Sequence, residues 1–114
     1  MKIFETEVAD LDTLDPDVLE HIEAAKDRVI KAVEKAPKME KQSEAVRVQC
    51  QAVADFIDEL YGEGTAYKVF SGRTNLLLCM QAFDQVIQGI DANASRQYEE
   101  MQTIMAKYSP RRIK

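Results

Sequence analysis

The chain has 114 residues, 46% of them hydrophobic and 31% charged, with a formal net charge of −5. That length fits one domain with a single core, and the apolar share is too high for disorder of the whole chain. The acidic balance argues against nucleic acid as a partner, because phosphate binding needs a basic face.

Acid is concentrated at the start, where Glu5, Glu7, Asp10, Asp12, Asp15, Asp17, Glu20 and Glu23 stand against Lys2. Residues 1–14, with Ile3, Phe4, Val8, Leu11 and Leu14 as scattered apolar positions, read as an extended acidic arm or a single edge strand. No long apolar core follows Lys2, so this is not a signal peptide, and no run approaches the length of a membrane span. The expectation is a soluble, cytoplasmic protein.

A first helix is predicted over 15–36. Asp15 is placed to cap it and Pro16 to occupy N1, where its missing N–H costs nothing. Its apolar face is Val18, Leu19, Ile22, Ala25, Val29, Ile30 and Val33. Pro37 stops it, because the residue before proline avoids the helical region. A second helix follows over 43–61, with Ser43 as candidate cap and a heptad-like seam of Val46, Cys50, Val53, Ile57 and Leu60. Gly62 sits where a helix ends. The connector 62–74 holds one helical turn with Tyr67, Val69 and Phe70, capped by Thr65 and closed by Gly72.

The last helix is predicted over 75–108, started by Thr74 or Asn75 and free of proline. Its apolar residues step by four and three: Leu76, Met80, Phe83, Ile87, Ile90, Ala94, Tyr98, Met101, Met105 and Tyr108. Gly89 and Asn93 are poor helix-interior residues, glycine by about 1 kcal/mol, and mark a candidate bend. An element spanning the last third, from Arg73, would be about 54 Å long, whereas a compact chain of this size has a radius of gyration of roughly 14 Å. Its far half therefore either folds back as core or meets another chain, and the mismatch favours the second. Tyr98, Met101, Ile104, Met105 and Tyr108 are the candidate contact residues, since methionine adapts its shape and tyrosine offers area with a polar tip. Residues 109–114 form a basic tail with Arg111, Arg112 and Lys114. The whole is an all-α fold: a small bundle of two mid-length helices and one long C-terminal helix.

Little in the sequence resembles a catalytic set. The one histidine, His21, lies among acids near a helix start and reads as a surface residue. No Glu-x-x-His pair is present, and no cluster has metal-ligand spacing, so no metal or cofactor is expected. Gly62-Glu63-Gly64-Thr65 lacks the lysine and strand context of a phosphate loop. Cys50 and Cys79 have no CxxC or histidine companions, pair only if the fold brings them together, and read as buried reduced thiols.

The run ADFIDELYGEGTAYKVFSGRTNLLLCMQAFDQVI, with the ending KYSPRR, resembles a family of small phage and prophage proteins of Gram-positive bacteria. The matching positions are Gln49, Cys50, Ala52, Phe56, Asp58, Leu60, Gly62, Glu63, Gly64, Thr65, Phe70, Gly72, Asn75, Leu76, Ala82 and Phe83. At the end they are Tyr108, Ser109, Pro110 and Arg112. Tyr61 stands where that pattern has phenylalanine, Ser71 departs from it, and the basic ending is shorter. The family looks like the tail assembly chaperones of long-tailed phages. The resemblance implies a non-enzymatic protein of the bacterial host cytoplasm. Its partner would be the helical, apolar tape-measure protein, or a tail tube protein, or further copies of itself. A virion component or oligomeric adaptor is the structural alternative.

Overall fold

Helix α2 (Gln42–Tyr61) is the centre of the molecule. The structure, a computed structural model, describes residues 1–108. Around α2 stand α1 (Pro16–Lys35), a short α3 (Thr65–Phe70) and a long α4 (Leu76–Ala106), with a single 3₁₀ turn over Ala36–Lys38. Pro37 falls inside that turn, which is how α1 stops where the sequence demands. The fold is all-α except for a two-stranded hairpin, β1 (Lys2–Ile3) and β2 (Thr6–Glu7), paired antiparallel.

Helix α2 buries Ala45, Cys50, Val53, Phe56 and Ile57, while Val46 and Leu60 sit only partly covered. Fully burying residues of the size of Phe56 and Ile57 contributes about 1.5–3 kcal/mol each. Helices α1 and α4 both pack on α2 and barely meet each other. The arrangement is thus an open layer rather than a closed bundle. That explains why the wide apolar face of α1 is only half used. Ile22, Ala25 and Val29 are buried, and Leu19, Ile30 and Val33 stay exposed because no third helix covers them. Arg28 clamps the pair from outside, its Nη2 donating to both carboxylate oxygens of Glu59.

Helix starts follow the expected side-chain caps in two cases and not in two others. Asp15 caps α1, its Oδ1 accepting from the Asp17 and Val18 amides at 2.9 and 3.4 Å. Asn75, not Thr74, caps α4 by accepting from the Leu78 amide at 3.1 Å. Ser43 does not cap α2, which begins one residue earlier behind Lys41 with no side-chain cap. Gly64, not Thr65, is the residue before α3, in a left-handed conformation at φ +91°.

The arm is neither free nor a single strand. The Val8 amide returns to the Met1 carbonyl at 2.8 Å, closing the hairpin around Phe4 and Glu5. Phe4 takes φ +54°, a strained choice for a bulky residue at the first position of a two-residue turn. Its ring lies edge-on to Phe70 with centroids 6.3 Å apart, and its amide donates to Gln85 Oε1 at 2.8 Å. Ile3 below it is fully buried.

Helix α4 runs as one helix through Gly89 and Asn93. Gly89 is where the Met1 side chain seats, and a Cβ there would collide with the Met1 sulfur. The most buried positions of α4 are Cys79, Ala82, Val86, Ile90 and Asn93, with Leu76, Met80, Phe83 and Ile87 flanking them, half-covered. The core line therefore lies beside the stripe of large side chains, along smaller residues that let α4 approach α2. Phe83 still reaches in, edge-on to Phe56 at 5.0 Å.

Candidate partner-binding surface

Beyond Gln97 no side chain of α4 is covered. Tyr98, Met101, Ile104, Met105 and Tyr108 are 54, 37, 55, 56 and 72% exposed. Their spacing of three and four puts them on one face, and at 100° per residue that face continues the line of Ile87, Ile90 and Ala94. The half-covered stripe beside the core line simply runs past the end of the core. Tyr98 to Ala106 adds about 14 Å of helix. The molecule measures 64 × 29 × 21 Å, with a radius of gyration of 17.7 Å. A compact chain of this length would give roughly 14 Å.

The overhang also differs in charge from the rest. Residues 1–93 carry eighteen acids against ten bases, whereas 94–108 balance Arg96 and Lys107 against Glu99 and Glu100. Those four charges fall on the half of the helix turned away from the stripe. Gln97 lies on the strip itself. The result is a neutral Met/Tyr/Ile strip on an acidic body.

What aims this strip is a polar strap that the sequence did not disclose. Asn93, 7% exposed, donates from Nδ2 to the Leu11 carbonyl at 2.6 Å. Its Oδ1 accepts from Arg96, whose guanidinium also faces Asp10 at 3.6 Å. One turn on, Gln97 Oε1 accepts from the Thr13 amide at 3.1 Å and from the Thr13 hydroxyl. Thr13 is itself buried. Asn93 and Gln97 at i, i+4 share a helix face, and together they tie residues 10–13 across α4 where coverage ends. The only sequence signal was a pair of amide side chains on the apolar face.

The model of a family of unknown function, DUF6673, matches residues 5–114. The chain belongs to that family. No curated protein and no solved structure matches it. The matched span begins inside the hairpin and takes in every helix, the strap and the overhang.

Within this family member, the pattern residues from Asp58 to Asn75 gather where α2, α3 and α4 join. Gly62 ends α2 at φ +111°, its amide bonded to the Asp58 carbonyl at 2.8 Å. Asp58 Oδ1 in turn accepts from the Ala66 amide at 2.8 Å, serving the exposed start of α3. The Thr65 hydroxyl donates to the Tyr61 carbonyl at 3.3 Å. Gly72, at φ +73°, passes so close to the Tyr67 ring that a Cβ would lie 3.1 Å from it. Phe56 and Phe70 are core, Asn75 is a cap, and Cys50 is buried beside Cys79. All of these hold the corner together. Pro110 and the basic tail lie outside the described residues.

Three groups have altered titration, the first being the Met1 ammonium, raised by its hydrogen bond to Glu7. Burial, helped by Asp10, pushes the Tyr61 hydroxyl up to about 12. Burial and then the neighbouring Cys50 thiol push Cys79 up to about 12. His21 is exposed and shares a shallow depression with Asp17, Val18, Glu59 and Leu60. Among the described residues no group of His, Cys, Asp and Glu is arranged to hold a metal ion, and no helix is long and apolar enough to cross a membrane.

Proposed function

We propose that the chain is a non-enzymatic binding protein of the type resembled by the tail assembly chaperones of long-tailed phages. In this reading it works in the bacterial host cytoplasm and receives apolar helical segments of a tape-measure-type partner. The observation that carries it is the neutral, uncovered end of α4 on an otherwise acidic body. A partner helix lies along Tyr98, Met101, Ile104, Met105 and Tyr108, burying its own apolar face there. The two methionines re-pack to suit different partner sequences, which a protein that handles a long, varied helix requires. Repulsion between acidic bodies keeps loaded complexes apart and soluble.

The test is co-expression with the tape-measure protein of the same genome. The expected outcome is higher soluble recovery of that protein and its co-purification with this chain. Unchanged recovery, with no co-purification, overturns the reading. The charge-free strip also favours one alternative, an oligomeric adaptor whose copies pair through it without like-charge repulsion. Mass spectrometry of finished virions separates the two, because a structural adaptor stays in the particle and a chaperone does not.

A further inference from the structure

Cys50 from the middle of α2 and Cys79 from the first turn of α4 are both free thiols, 5% and 2% exposed. The Cys79 thiol lies against that of Cys50 across the α2–α4 interface. Together they border a depression of about 310 Å³ whose other walls include Arg47, Gln51, Arg73 and Thr74. The thiols are thus shielded from bulk solvent yet both line an open depression. Two arginines stand at that opening. Neither the partner thiol nor the opening could be read from the spacing of two isolated cysteines.

We propose that Cys50 and Cys79 are a modification site, an intramolecular disulfide between α2 and α4 formed by exchange with a small anionic disulfide admitted past Arg47 and Arg73. Cys50 is the more open of the two and reacts first. Its thiolate attacks one sulfur of the reagent, the reagent's S–S bond breaks, and one reagent thiolate leaves and takes up the proton that Cys50 released. Cys79 then attacks the Cys50 sulfur, and the second reagent thiolate leaves with the proton from Cys79. Two protein thiols are oxidised and one reagent disulfide is reduced to two thiols. The raised Cys79 thiol makes the second exchange the slower one at neutral pH, and it quickens as pH rises. The bond closes a loop of about 30 residues that contains α3, which raises the melting temperature by roughly 10 °C. None of this depends on what the overhang binds.

The experiment incubates the folded full chain with oxidised glutathione at mildly alkaline pH, followed by acid quenching and whole-protein mass spectrometry. The expected result is a monomer lighter by two hydrogens, a linked peptide pair containing Cys50 and Cys79, and the higher melting temperature. Cys79→Ser should instead accumulate a lasting glutathione adduct at Cys50. Cys50→Ser should react at least tenfold more slowly than the wild type. Should wild-type protein keep both thiols until urea is added, the proposal is overturned. A lasting adduct or disulfide-linked dimers in place of the internal bond overturn it equally, and the wild-type measurement stands even if neither variant folds.

Discussion

Asn93 shows how a residue that weakens a helix locally can strengthen the fold. Its helix propensity is poor, yet its side chain satisfies a carbonyl of the arm and the guanidinium of Arg96 in a nearly dry position. Replacing it with leucine keeps the volume and removes both bonds. Asn93→Leu should cost about 1–3 kcal/mol in urea unfolding, because the Leu11 carbonyl is left without its partner. Amide exchange at Thr13 should accelerate, and unchanged exchange there would mean that the strap does not hold in solution. Gly89 makes a related point, since its missing side chain is the seat of Met1 rather than a break.

Two titrating residues give the pH dependence its sign. Tyr61 and Cys79 are both held neutral in the fold, with ordinary values of 10.0 and 9.0 raised to about 12. Between those limits the unfolded chain gives up protons that the folded chain keeps, so stability falls as pH rises. Their contribution is complete below pH 9.0 and lost progressively as pH climbs toward about 12. Urea midpoints measured across the alkaline range should decline, and Tyr61→Phe combined with Cys79→Ala should flatten the decline.

At the scale of elements, α4 divides into a docked part and a free part at the strap. The free part makes no buried contact, so changing it should leave the core alone. Met101→Asp with Met105→Asp places two charges on the exposed strip, at positions 37 and 56% exposed. The expected loss of stability is below about 1 kcal/mol, from helix propensity alone. Capture of an apolar partner helix should be abolished. Far larger destabilisation, seen by circular dichroism on heating, would show that the strip is core in solution. The corner of α2, α3 and α4 answers differently. There Gly62 and Gly72 hold positive φ, so these two glycines set the direction of the chain.

The whole molecule is elongated because α2 is flanked rather than enclosed and because α4 outruns both neighbours. A chain ending at Gln97 should keep the unfolding free energy of the full chain within about 0.5 kcal/mol, with an unchanged urea midpoint, as surface changes usually do. Its scattering radius should drop toward the compact value of roughly 14 Å, from 17.7 Å. A lower midpoint would mean that the overhang contributes to folding.

The sequence by itself determined the helices, their order and most of their ends. Proline at 16 and 37, the Asp15 and Asn75 caps, and 3.6-residue periodicity act within a few residues and need no distant partner. It also determined that α4 is too long for its neighbours, because helix rise and compact radius are fixed by geometry. The tertiary structure alone decided which apolar residues are core: Leu19, Ile30 and Val33 match Val29 in character, but coverage depends on which part of that face α1 turns toward α2. It alone brought Cys79 to Cys50, and it turned Gly89 and Asn93 from weak points into seats for the N-terminal arm. Those pairings join residues roughly 30 to 90 apart in the chain, and composition and local spacing carry no record of such distances.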